Sequence, residues 1–128
     1  MCSHPSKLVN EMPYNYLKNM KITFINMPLR ETALPNVPPE GPGILSAIVR
    51  KYGADPSIID LNGYRIKDRL AIKKGLPHGR HLTFKEAEEL FLKHLSNKGD
   101  QDIIALSGKI TTLRWQEKIA QIVRNYQP

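Results

Sequence analysis

The sequence predicts an α/β protein: a Rossmann-like or flavodoxin-like parallel sheet with helices on both faces, represented by its first three βα units only. Three observations carry this reading. Short β-branched runs at 21–27, 57–61 and 102–106 alternate with three segments whose apolar residues recur at helical spacing. Strands separated by a helix lie parallel and are joined by crossovers. The third run, Asp102-Ile-Ile-Ala-Leu106, has almost no polar alternation, as expected of a strand buried on both faces.

The size and composition suit one such domain. A chain of 128 residues can bury roughly two-thirds of its unfolded surface, enough for a single core. With 41% apolar and 24% charged residues it is not a disordered composition. No apolar run approaches the roughly 18 residues of a membrane helix. The lone cysteine, Cys2, excludes an internal disulfide, a multi-cysteine zinc site and a cysteine-held iron–sulfur cluster within this chain. A reducing, cytoplasmic setting is the economical reading.

The elements follow in order. Residues 1–20, broken by Pro5 and Pro13, read as an N-terminal arm with one helical turn near Tyr14–Met20. The run from Lys21 to Met27 reads as the first strand, ended by Pro28. Residues 28–43 carry five prolines and two glycines, a loop whose restricted backbone is cheap to order. Ile44, Leu45, Ile48, Val49 and Tyr52 recur as a helix would place them, and Gly53 stands where a helix C-terminal glycine belongs. Ser57–Leu61 is the second strand, stopped by Asn62-Gly63. Thr83-Phe-Lys-Glu86 has capping-box spacing and opens a second helix through Phe84, Ala87, Leu90, Phe91, Leu92 and Leu95 to Gly99. After the third strand and Ser107-Gly108, Trp115, Ile119, Ile122, Val123 and Tyr126 mark the last helix. Between the second strand and second helix lies a basic insert, 63–82. It holds Arg65, Lys67, Arg69, Lys73, Lys74 and Arg80 against Asp68 alone, and so most of the chain's net +7.

In open α/β sheets, ligands sit outside the carboxyl ends of the strands. Three segments are expected to converge there: Met27–Gly43, Leu61-Asn62-Gly63 and Ser107–Thr112. The last supplies small residues, hydroxyls and amides suited to a ligand's amide or phosphate oxygens, although the same hydroxyls could simply cap the final helix. Gly41-Pro-Gly43-Ile-Leu-Ser46 departs from a dinucleotide fingerprint: it lies far beyond the strand and has serine for its third glycine. Asp60 suits a ribose hydroxyl or a strand-end hydrogen bond. His78 and His81 are flanked by Pro77 and Gly79 without an evident third ligand, so no metal site is expected; His94 reads as a surface residue. No nucleophile–base pair has supporting context. The insert lacks stacking aromatics apart from Tyr64, so nucleic-acid binding is expected to be weak and salt-sensitive. A receiver-like signalling domain needs acidic residues where Asn26-Met27-Pro28 and Leu106-Ser107 stand, which argues strongly against it.

Taken together, Lys21–Pro28, Pro38-Pro-Glu-Gly-Pro-Gly-Ile-Leu45 and Ile58-Ile-Asp-Leu-Asn62 resemble the N-terminal cobalamin-binding domain of cobalamin-dependent radical SAM enzymes. Asp102–Gly108 with Thr111 and Thr112 resembles that family's third strand and its Ser/Thr loop. The resemblance covers residues 21–62 and 102–127. It implies cofactor contacts from Pro28, Leu29 and Arg30, from Gly41 and Gly43 at the helix start, from Leu61 and Asn62, and from Ser107, Gly108, Thr111 and Thr112. It also implies a radical SAM core elsewhere in a longer parent, carrying the [4Fe–4S] cluster and S-adenosylmethionine, with methyl transfer or related radical chemistry. Two family features are absent. There is no Asp-x-His-x-x-Gly sequence, so no histidine lower ligand to cobalt is offered, and no Cys-x3-Cys-x2-Cys, so the chain is not catalytic alone. Weak or no cobalamin binding is expected of this part by itself, along with self-association through the edge of the third strand where a fourth would lie. The alternative is a stand-alone basic α/β interaction module that meets an acidic partner or RNA.

Overall fold

A computed structural model of the chain describes residues 16–28, 39–62, 73, 75 and 82–127. Within them the order is β1 (Lys21–Asn26), α1 (Glu40–Lys51), β2 (Asp55–Asp60), α2 (Phe84–Lys98), β3 (Ile103–Ser107), a short 3-10 turn (Ile110–Thr112) and α3 (Leu113–Tyr126). The strands form one parallel sheet in the order β2-β1-β3, with Phe24 level with both Ile58 and Ala105. This is the α/β, flavodoxin-like arrangement that the alternation predicts. The prolines of 29–38 and all of the basic insert except Lys73, Gly75 and Leu82 lie outside the described residues, as do 1–15.

Alternation along the strands divides the apolar residues between two layers. On one face Ile25, Met27, Ile59 and Leu61, with Ile104 and Leu106 packed beside them, meet Ala87 and Phe91 of α2 and Ile119 and Ile122 of α3. On the other, Ile22, Phe24 and Ala105 meet Val49 of α1, Ala54, and Leu17 and Met20 of the turn before β1. That turn is docked by Leu17 N donating to the Tyr52 carbonyl at 2.8 Å. Two helices cover the first face and α1 the second.

Several boundaries and burials differ from the sequence reading. The second strand starts earlier, at Asp55, and takes in Pro56; β2 is an edge strand, where a missing N–H is tolerated. β3 is not buried on both faces: Ile103 is 42% exposed and its other residues are half-buried. Among the described residues it too is an edge strand, and α1 packs over β2 and β1. For the same reason α1 buries Pro42 and Ser46, while Ile44, Leu45, Ile48 and Tyr52 of its apolar stripe stay exposed. Glycine serves as expected at Gly53, whose φ of 91° is the left-handed value that ends α1.

Candidate functional site

The carboxyl ends of the three strands bring together Met27 and Pro28, Leu61 and Asn62, and Ser107–Thr112. Helix α1 also begins at this end. It starts at Glu40, so that Pro42 falls in the first turn, where it has no helical partner to lose. Pro39 stands at its N-cap and supplies no side-chain cap. Among the described residues, a Cβ added at Gly41 or Gly43 would meet nothing within 4 Å. One turn further on, the Ser46 hydroxyl is buried without a hydrogen-bond partner among the described residues.

The expected contact residues divide into those that face outward and those engaged by the fold. Gly41, Gly43 and Thr111 are exposed, and Ser107 is half-buried with its carbonyl accepting from Met27 N at 3.0 Å. Pro28 and Asn62 are buried at the strand ends. Leu61 is 2% exposed and belongs to the core. The Thr112 hydroxyl donates to the Lys109 carbonyl at 2.8 Å and accepts from Lys109 N at 3.1 Å, which closes the 3-10 turn instead of capping α3. Gly108 lies against this turn: a Cβ there would stand 2.5 Å from Thr112 Oγ1 and 2.8 Å from Gln116 Nε2. Its lack of a side chain serves the packing of the loop. Asp60 is a strand-end residue, its Oδ1 accepting from Asn26 Nδ2 at 2.9 Å and from Asn62 N at 3.1 Å. Leu29 and Arg30 lie outside the described residues, as do His78 and His81.

The opposite end of the sheet holds a polar cluster that sequence reasoning missed. His94, read from the sequence as a surface residue, is half-buried and engaged by the strands. It projects from α2 onto β1 and β2, with Nε2 2.9 Å from Thr23 Oγ1 and 3.1 Å from Ser57 Oγ. Thr23 Oγ1 also contacts Ser57 Oγ at 2.9 Å and donates to Gln101 Oε1 at 2.8 Å. The hydrogen positions follow by elimination. Gln101 Nε2 donates to the Gly99 carbonyl, which fixes Oε1 toward Thr23. An amide oxygen only accepts, so the single Thr23 hydroxyl proton points to it. Thr23 therefore accepts from His94, and Nε2 carries hydrogen. Burial, and then the charge of Lys98 one turn away, push the His94 pKa down, which favours the neutral ring. An Nε2–H donor cannot take the Ser57 proton, so the Ser57–His94 contact is not a nucleophile–base pair. A signal was present in the sequence: Ala87, Phe91 and His94 share one helical face.

The same end is tied further. Lys21 N donates to Asp102 Oδ2 at 2.8 Å, and Gln127 and Gln101 exchange side-chain–backbone hydrogen bonds at 2.8 and 2.9 Å. Among the described residues no group of three His, Cys, Asp or Glu side chains could hold a metal ion, and no helix is long and apolar enough to cross a membrane.

Compared with protein-family models, with curated proteins and with solved structures, the chain matches none.

Proposed function

We propose that this chain is the N-terminal part of a cobalamin-binding domain of a radical SAM enzyme, with the radical SAM core elsewhere in the parent polypeptide. The observation that supports it is the start of α1, to which Pro39 supplies no side-chain cap, at the carboxyl end of a parallel sheet. Among the described residues nothing crowds its two glycines, and the Ser46 hydroxyl one turn on is buried without a hydrogen-bond partner. Glu40 in the first turn disfavours an anionic ligand there but suits amide N–H donors. Cobalamin, whose corrin ring is fringed with carboxamides, offers such donors, so these residues fit it. Gly41 and Gly43 would let the ring approach the backbone, and Ser107 and Thr111 would flank it. When bound, methylcobalamin supplies a transferable methyl group; the chain's own residues bind and orient it and move no proton. Leu61, Gly108 and Thr112 act indirectly, by holding the loops.

Titration with hydroxocobalamin, followed by its visible spectrum, tests this on the present chain and on a polypeptide extended downstream. The extended protein is expected to retain cobalamin through desalting, and the 128-residue chain to bind weakly or not at all. Gly43→Leu, which suits a helix better than glycine, should abolish binding in the extended protein and preserve its circular dichroism. A colourless desalted protein, or a downstream sequence without Cys-x3-Cys-x2-Cys, would overturn the proposal.

One observation favours the competing reading as a basic interaction module. Arg114, Lys118 and Arg124 are exposed on α3, with Arg114 5.9 Å and Lys118 6.0 Å from the Phe84 ring centre. RNA affinity in the sub-micromolar range that survives about 200 mM salt would place that reading first.

A further inference from the structure

We infer that the outer edge of β3 is a self-complementary interface that pairs two copies of this chain about a two-fold axis, antiparallel, with Ala105 at the axis. The inference concerns this 128-residue chain; under the cobalamin reading a further strand of the parent would take the same edge, so the dimer is tested on this chain and the cofactor on the extended one.

The two edges of the sheet differ. β2 is blunted by Pro56 and carries Asp55 and Asp60 at its ends, devices that discourage edge pairing. β3 reads Ile-Ile-Ala-Leu-Ser, with neither proline nor charge, and among the described residues only β1 pairs with it. Its exposed apolar surface continues past the strand: Ile103 is 42%, Ile110 82% and Leu113 48% exposed. With one open edge and one blunted edge, pairing closes as a dimer and does not propagate into a filament.

Backbone geometry selects the register. Met27 N donates to the Ser107 carbonyl, and Ser107 is level with Asn26. In a parallel ladder this turns the amide and carbonyl of Ser107, Ala105 and Ile103 toward β1 and those of Ile104 and Leu106 outward. Antiparallel pairing centred on Ala105 sets Ile104 opposite Leu106 of the second copy. Each such pair exchanges two N–H···O bonds, so the two pairs satisfy all the outward groups of both residues in both copies. Ala105 meets its own copy in a non-hydrogen-bonded pair, the closer kind at about 4.5 Å between Cα atoms, where a small side chain fits best. The register also brings Asp102 of each copy within one residue of Lys109 of the other. A second copy is thus matched in hydrogen bonding, size and charge.

Light scattering and sedimentation over a dilution series of the full 128-residue chain read the mass. A dimer is expected, and Ile103→Lys should raise its dissociation constant by about tenfold or more, since a lysine on an edge strand opposes pairing. Ile58→Lys, at an exposed position on the blunted β2 edge, should leave it unchanged. Amide exchange on the unmutated chain gives a second readout, independent of whether variants fold. The Ile104 and Leu106 amides should become protected as concentration rises, while the already bonded Met27 amide should not change. A monomer at every concentration, equal effects of the two lysines, or concentration-independent exchange at Ile104 and Leu106 would overturn the inference.

Discussion

His94 shows how one side chain converts a polar position into pH-dependent stability. Its pKa is below the usual 6.5 because burial and Lys98 disfavour the charged ring. In the unfolded chain the ring protonates at its ordinary value. As pH falls through 6.5 the unfolded state takes up a proton more readily than the folded state does, and stability is lost until the folded ring protonates as well. Above that value the residue adds no pH dependence. The urea midpoint should therefore fall between pH 7.5 and 5.5, and His94→Gln, which keeps a donor but does not titrate, should flatten that part of the profile; an unchanged slope would count against the half-buried cluster. A second residue-scale contrast separates the glycines. Gly108→Ala forces a Cβ against Thr112 and should cost about 1–3 kcal/mol, as overpacking does. Gly41→Ala meets none of the described residues and sits in a helix, so it should be neutral or stabilising by up to about 1 kcal/mol. Equal denaturation midpoints for the two variants would show that the Gly108 contact is not limiting.

At the scale of elements, α2 has the best-defined start. Thr83 Oγ1 accepts from Glu86 N at 3.2 Å and donates to the Glu86 carboxylate at 3.1 Å, so the residues of the predicted capping box do meet. At the other end Gly99, with φ 79°, returns its N–H to the Leu95 carbonyl at 2.7 Å. Thr83→Ala should lower stability by about 1 kcal/mol, measured by thermal or urea unfolding, whereas Thr83→Ser should recover most of the loss. Helix α1 contrasts with this. Its N-cap Pro39 supplies no side-chain cap and its apolar stripe is largely exposed; Pro42 and Ser46 are its buried residues, and Val49 packs on the Ile22–Phe24 cluster of the sheet. A helix start whose N-cap residue supplies no side-chain bond can be contacted by a ligand; one closed by its own threonine is not.

At the scale of the whole molecule, the two ends of the sheet have different duties. The amino end is cross-tied by Thr23, Ser57, His94 and Gln101, by Lys21 with Asp102, and by the Gln101–Gln127 pair. The carboxyl end carries the Ser107–Thr112 turn and the start of α1, whose N-cap Pro39 supplies no side-chain cap. Strand and helix identity were legible in the sequence because period and punctuation are local properties: alternation, Gly53, the Thr83–Glu86 spacing and Gly99 each act within a few residues. What only the tertiary structure decided is which groups come near each other across the sheet. Thr23, Ser57, His94 and Gln101 are far apart in the chain, and their meeting depends on parallel register and on the rotation of α2. Likewise a hydroxyl such as that of Thr112 can serve a ligand or its own turn with the same sequence. β3 looks like a central strand by composition, yet among the described residues strand order makes it an edge. Local chemistry fixes the elements; long-range pairing fixes which of their surfaces remain open.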